Sequence, residues 1–272
     1  MRAHYAALAV SLAIVAGLNS GCRQLEARDN LNKGSAAFKA AKFPEAVEFF
    51  KTACDRDPEF ITARLYLAMA YYMQYIPGSM EPDNLKFANS ALEQFQKVLE
   101  KEPNNVLATS SIASLYYHEE KLDDAEQWNK KVIAIAPNNK EAFYTLGVIA
   151  WTKFLIDDRK ARAEANMKPE DPGPIKDPKT NRTLREDLKA KWMPILDEGI
   201  EDEKKALQID PEYEDAMAYM NLLIRYRGDL LDTTEDYNKA AEEANNWMQK
   251  SLDTKKIKAQ RKEAAANGVK QQ

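Results

Sequence analysis

Four times in this chain an apolar helix end runs into a proline. The segments are TACDRDPEF (52–60), VLEKEPNN (98–105), VIAIAPNN (132–139) and ALQIDPEY (206–213). Proline has no N–H and pushes its predecessor out of the α region, so each one stops a helix and sets the start of the next. Pro103 and Pro137 are 34 residues apart. Residues 106–139 form the stretch with nothing inserted, and two short helices are written there. The first is apolar at Ile112, Leu115 and Tyr116. The second begins near Asp123 and ends before Pro137, and the small residues Ala113 and Ala125 stand where the two would touch. A pair of this size cannot bury its apolar face alone, so it makes sense only as one tile among several. Composition agrees. Glycine is scarce at 9 in 272 residues, and Ala, Leu, Glu and Lys dominate, which favours helix throughout. The length suits a solenoid of several repeats or a pair of small globular domains. A net charge of −4 argues against a nucleic-acid binder, which needs a concentrated basic face.

The spacing and the residues at the helix contacts resemble the tetratricopeptide repeat. That unit is a helix–turn–helix of 34 residues with a Trp-x2-Leu-Gly-x2-Tyr…Ala-x3-Phe…Pro pattern. The first unit covers about 27–60, with Gly34 and Ala46 at the small positions, Phe50 four residues on, and Pro58 closing. Asn30 stands where its opening aromatic is expected. The second, about 61–104, has Leu67-Ala68, Tyr71, Ala91, Phe95 and Pro103. The third is 106–139, with Asn129 in place of the helix-B aromatic and Trp128 beside it. The fourth, 140–212, begins with Phe143, Leu146 and Gly147 and closes at Ala206 and Pro211, with Gly199 for the small helix-B residue. The fifth, 214–252, is degenerate: Met217, Met220, Asn221, Ala244 and Met248, with no closing proline. The resemblance implies an all-α, right-handed α-solenoid of about five helix pairs over 22–252, with a long helical-hairpin insertion in repeat four.

The departures mark what is particular to this chain. Met73–Asp83 (MQYIPGSMEPD) adds a Pro-Gly loop between the helices of repeat two. Repeat four carries an insertion over 153–193, read as a lengthened helical hairpin that projects from the solenoid. Its tip is the proline-rich KPEDPGPIKDPKT (168–180), and Pro194 is expected to kink its returning helix. Gly228 to Thr234 reads as another longer turn. The tail, 253–272, has six Lys or Arg against Asp253 and Glu263 and reads as frayed helix or a segment without structure.

The N-terminus is a separate matter. Residues 1–21 (MRAHYAALAVSLAIVAGLNSG) have a positive start at Arg2 and an apolar core from Ala6 to Leu18. As a helix that core would span about 20 Å, short of the roughly 30 Å hydrocarbon layer, so it reads as a secretory signal; the other reading is a buried helix of the fold. Leu18-Asn19-Ser20-Gly21-Cys22 resembles a bacterial lipobox, in which a Cys after small residues is acylated and becomes the first residue. Asn19 departs from the pattern, since Leu18 stands one place early. The resemblance implies lipidation at Cys22 and a membrane anchor. Arg23 in place of the Asp that retains enteric lipoproteins in the inner membrane favours the outer membrane. Ordinary cleavage and a soluble periplasmic or secreted protein is the alternative. Cys54 then has no partner for an intrachain disulfide, and in FFKTACDRDP it reads as a small core residue.

No catalytic set is written in the chain. Beyond residue 22 there is one His, His118, and one Cys, Cys54. HExxH, paired CxxC, a phosphate loop and Gly-x-Ser-x-Gly are all missing from the sequence. Neither an enzyme nor a cofactor is expected, and no metal site. Function is expected in a surface. In a tetratricopeptide stack helix A lines the concave groove, and the residues just past its aromatic position here are Phe38, Tyr72, Tyr117 and Trp151. Leu65, Met69, His118 and Tyr144 are expected beside them. Such aromatics either contact a ligand or pack helix against helix. The ligand expected is a partner protein or an apolar, aromatic-anchored peptide segment, held by a non-catalytic adaptor of the cell envelope in assembly, secretion or pilus biogenesis. A structural spacer and a regulatory subunit of an enzyme are the alternatives.

Overall fold

The computed structural model describes residues 2–168 and 182–269, with side chains described over 21–168 and 184–266. Among the described residues there are ten helices and no strand: α1 (Arg2–Lys39), α2 (Phe43–Arg56), α3 (Ile61–Tyr72), α4 (Pro82–Lys101), α5 (Val106–His118), α6 (Leu122–Ile135), α7 (Lys140–Glu164), α8 (Arg182–Ile209), α9 (Glu214–Asp229) and α10 (Thr234–Val269). The chain divides into two compact units, Met1–Trp128 and Asn129–Gln272.

In the first unit the helices pack as successive antiparallel pairs, and the small residues explain how closely. A Cβ placed on Gly34 would lie 2.5 Å from Cε1 of Phe50, so α1 and α2 can meet only because that position lacks a side chain. Ala46, Phe50 and Ala53 are buried in the same cluster, as are Ala63 and Leu67 from α3. Ala91, Phe95 and Val98 of α4 repeat the arrangement against Ala108, Ile112 and Leu115 of α5. Cys54 is buried as expected, and burial pushes its thiol up to about 11, so it is no thiolate at neutral pH.

The helix ends follow from the proline segments. Each Pro-Asn-Asn supplies a cap: the side chain of Asn105 accepts from the Ala108 N–H (2.9 Å), and that of Asn139 from the Ala142 N–H (2.8 Å). Each Asp-Pro-Glu instead makes an Asx turn, with Asp57 accepting from the Glu59 N–H (3.2 Å) and Asp210 from the Glu212 N–H (3.0 Å). Asn139→Ala should therefore lower stability by about 1 kcal/mol, read as a lower urea midpoint, whereas Asn138→Ala should leave the midpoint in place. Pro82 and Asp83, expected in the loop of repeat two, belong instead to the first turn of α4, where proline's missing N–H costs nothing. The loop proper is 73–81.

In the second unit, α7 and α8 form the lengthened hairpin. α1, α5 and α7 all end on a left-handed residue: Ala41 (φ 56°), Glu120 (φ 59°) and Asn166 (φ 56°). The backbone N–H after each returns to a carbonyl five residues back: Lys42 to Ala37, Lys121 to Tyr116, Met167 to Arg162. The caps of α1 and α5 stand seven residues after Gly34 and Ala113, but that of α7 stands nineteen after Gly147. The insertion thus begins as extra length on helix A, and the ordinary turn is carried outward.

The described part of the hairpin does not stand clear of its unit, as the sequence reading had it. Phe154, Leu188 and Trp192 share a buried cluster with Leu196, Met220 and Leu223, and Phe154 meets Tyr226 of α9 edge to face at 5.6 Å. Lys189 pairs with Asp232 in the turn before α10 (2.5 Å), and Arg162 and Asp158 form a buried pair at 2.7 Å. The proline-rich tip lies outside the described residues over 169–181. Pro194 lies inside α8, which continues through it.

Two further expectations change. The turn before α10 is the short 230–233, because Gly228 belongs to α9 and packs under Ala240. The basic tail is not frayed over its first half. α10 runs on, Arg261 pairs with Glu212 at 2.7 Å, and Lys258 pairs with Glu214. The missing apolar period past Ile257 hid this, because charge rather than burial ties that stretch to the start of α9 and the turn before it. At the other end, α1 is continuous from Arg2, so the apolar segment and the first helix A are one helix. Among the described residues no helix is long and apolar enough to cross a membrane.

Candidate protein-binding site

The residues expected to line a groove fall on the A helices, and the structure shows what each touches. In the first unit Phe38 packs edge to face on Phe43 (5.3 Å) and on Tyr66 (6.4 Å), and Tyr66 stacks on Phe50 (5.6 Å). Leu65, Met69 and Tyr72 border the second cluster of that unit. The Tyr72 hydroxyl shares a hydrogen bond with Ser114 (2.8 Å), and the Ser111 hydroxyl reaches the Met69 sulfur at 3.8 Å. These side chains therefore join one A helix to the next, while their outer parts stay accessible. Tyr117 belongs to neither cluster. It is half-buried, burial raises its phenol, and its ring meets that of His118 at 5.8 Å.

His118 is turned to a different place. With Tyr75, Met80, Leu85, Glu119, Glu120 and Lys121 it lines a concavity between the loop 73–81 and the turn after α5. Burial lowers the affinity of its imidazole for a proton, so the ring is neutral at pH 7.

In the second unit Tyr144 and Trp151 stand two helical turns apart on α7. Tyr219 of α9 meets both, at 5.5 Å from each. Tyr213 extends the row beyond Tyr144 (5.1 Å), and Tyr226 beyond Trp151 (6.5 Å). The result is a run of five rings from two neighbouring A helices and the turn before the second. None of the five is fully buried. Lys140 lies over the Tyr213 ring (4.8 Å) while pairing with Asp210 (2.6 Å), which fixes one end of the run. Arg225 of α9 donates to Asn245 (2.7 Å).

Tyr66, Tyr213, Tyr219 and Tyr226 were missed from the sequence. Tyr66 and Tyr219 share a signal that was present: each stands two residues before the small position of its A helix, Ala68 and Asn221. That place faces the aromatic four residues past the small position of the preceding A helix, Phe38 or Trp151.

Glu203 was also missed. It is 0% exposed, and neither carboxyl oxygen has a hydrogen-bond partner. It stands four residues after Gly199, where Phe50 follows Ala46 and Phe95 follows Ala91. Gly147 makes room for it as Gly34 does for Phe50: a Cβ on Gly147 would be 2.3 Å from its Oε1. Burial pushes its carboxyl up to about 10, with Asp202 adding to the shift. Among the described residues no group of three or more His, Cys, Asp or Glu side chains is placed to hold a metal ion.

Two stretches match family models described as tetratricopeptide repeat, residues 31–78 and 88–147. With the stacked helix pairs and their small contact residues, they define the class of repeat: the chain carries tetratricopeptide repeats over these stretches, which supports a protein-binding scaffold. Its relatives are less particular. Sperm-associated antigen 1 of Mus musculus is 29% identical over 134 residues, 49% of this chain and 14% of that protein. The Homo sapiens counterpart is 30% identical over 134 residues and 13% of its length, so the chain spans only a small part of these relatives. Among solved structures, MamA from Desulfovibrio magneticus RS-1 superposes with a TM-score of 0.54 at 17% identity, covering 84% of this chain and 96% of that one. YrrB, described as a TPR protein with an unusual peptide-binding site, gives 0.52 at 14% identity, covering 84% and 90%. At these identities the likeness is one of fold.

Proposed function

We propose that the protein is a non-catalytic adaptor that holds a partner protein or peptide on the aromatic faces of its A helices and is anchored in a bacterial cell envelope through an acylated Cys22. The observation that carries the binding role is the run Tyr213–Tyr144–Tyr219–Trp151–Tyr226. Five partly exposed rings in successive edge-on and tilted contact are a large, rigid, amphipathic surface, the kind that supplies binding energy at little conformational cost. YrrB, a TPR protein described as having an unusual peptide-binding site, supports a peptide as the kind of ligand.

The anchor is supported by how close Cys22 stands to the packed residues that follow it. Cys22 is exposed, yet Arg23 already donates to the Asp55 carbonyl (3.3 Å), Glu26 pairs with Arg56 (3.0 Å) and Ala27 is buried. An acyl group on Cys22 would hold the first repeat at the bilayer surface with almost no linker, and several chains would make that hold firm. The outer membrane, facing the periplasm, is the compartment we infer, with envelope assembly, secretion or pilus biogenesis as the setting.

Both parts can be tested. Fatty-acid labelling should mark the wild type and not Cys22→Ala; equal labelling of the two would overturn the anchor. Partners recovered from detergent-solubilised membranes should be lost from a Tyr144→Ala, Tyr219→Ala variant whose helical signal and melting remain cooperative. Undiminished recovery would remove the aromatic run from the binding role.

A further inference from the structure

The loop 73–81 is an addition to the repeat, and it is built rather than loose. Asn84 beneath it is 7% exposed and makes three hydrogen bonds to its backbone. Its carbonyl oxygen accepts from the Ile76 N–H (2.7 Å), and its amide donates to the carbonyls of Ile76 (2.9 Å) and Ser79 (2.8 Å). A buried amide with its bonds made holds the backbone in one shape. Tyr75 is buried under the loop, and its hydroxyl donates to the His118 carbonyl (3.4 Å), which ties the loop to the turn after α5.

Between loop and turn lies a cavity of about 300 Å³. Its floor is Tyr75 and Leu85, and Met80 forms one lip. Met80 is 78% exposed and Ile76 on the same loop is 65% exposed, although the loop is fixed. An apolar lip held out to water by a dedicated internal brace is a surface waiting for cover. The volume is that of a small ligand pocket, enough for a long side chain and the backbone that carries it.

Charge says what covers it. Around the loop and the turn stand Glu81, Asp83, Glu119 and Glu120 against Lys86 and Lys121. Lys86 is paired with Asp83 (2.8 Å) and Lys121 with Glu119 (3.0 Å), which leaves Glu81 and Glu120 without an ion pair. His118 is neutral and offsets neither. An acidic rim of this kind is repelled by the anionic surface of a bilayer and attracts a cation.

We propose that this concavity is a second docking site, distinct from the aromatic faces, for an extended segment of a partner protein that presents leucine or methionine next to lysine or arginine. The apolar side chain enters against Tyr75, Met80 and Leu85, and the basic one lies on Glu120. The half-buried imidazole of His118 makes no hydrogen bond of its own and offers one donor and one acceptor to the segment's backbone.

The test uses the full chain in detergent, labelled with ¹³C at the methionine methyls; the Met80 resonance is assigned by its loss in Met80→Leu. The probe is the capped peptide Gly-Ser-Leu-Lys-Ser-Gly, with Leu-Glu and Ser-Lys versions beside it. The Leu-Lys peptide should shift the Met80 methyl saturably and bind about tenfold more tightly than either other peptide. Glu120→Lys, on an exposed turn, should remove that preference without changing the melting temperature, and the Tyr144→Ala, Tyr219→Ala variant should retain it. The last point separates this site from the adaptor reading, which can fail independently. Equal affinity for the Leu-Lys and Leu-Glu peptides, no saturable shift, or a shift produced by phosphatidylglycerol vesicles in place of the peptide would each overturn the proposal.

Discussion

Replacing Glu203 by methionine is expected to stabilise the protein by about 3 kcal/mol at pH 7, and by more as the pH rises. The carboxyl is buried under Gly147 with no partner, and burial lifts it from an ordinary 4.5 to about 10. The folded chain therefore keeps its proton up to about pH 10, whereas the unfolded chain loses it above 4.5. Between those values unfolding releases a proton, so stability falls as pH rises, by about 1.4 kcal/mol per unit from this one group. Methionine has similar length and no charge, and it removes both the titration and the unpaired oxygens. Urea melts at pH 5, 7 and 9 check this. The gain from Glu203→Met should be smallest at pH 5 and should widen steadily. A gain that is the same at all three would show that ionisation of Glu203 is not its source. Glu203→Gln should flatten the pH dependence in the same way while retaining a buried polar group, so its gain should be smaller.

Phe50→Ala should cost the first unit about 3–5 kcal/mol, since it empties the space between α1 and α2. Gly34→Leu should also destabilise strongly. Its first carbon already falls within 2.5 Å of the Phe50 ring, and that ring is fully buried with no room to retreat. The two changes together should cost less than their sum, because the leucine then grows into the space the ring has left. Urea melts of the four proteins give the coupling directly. Strict additivity would mean that Gly34 and Phe50 do not share one space. The same cycle at Gly147 and Glu203 tests whether the second unit uses the same joint with a carboxyl in place of the ring.

Several features follow from residues next to one another in the chain, and these were legible. The proline segments give the helix ends, because φ of proline and the missing N–H act on immediate neighbours. Ala46, Ala91 and Ala125 mark where helices touch, and all three are buried. The lengthening of repeat four is visible as surplus residues. The row expected from Phe38, Tyr72, Tyr117 and Trp151 named rings on the A helices, but the sequence does not say which neighbours they meet. Tyr219 reaches Tyr144 and Trp151 only because α9 lies against α7. His118 was grouped with Tyr117 by adjacency, yet on a helix neighbouring residues diverge by about 100°, and the loop 73–81 draws it to a separate cavity.

What the sequence by itself determined is the repeat: its period, its small contact residues, its breaks, and the apolar segment ending at Cys22. Those are properties of local backbone sterics and of spacing along one helix. What only the tertiary structure decided is where the odd residues go. Glu203 reads as one more glutamate on a charged helix until α7 closes over it, and the basic stretch at Lys258 and Arg261 reads as loose until Glu212 and Glu214 stand opposite. Burial and pairing arise from contacts between helices far apart in sequence, and the period of a single helix carries no record of them.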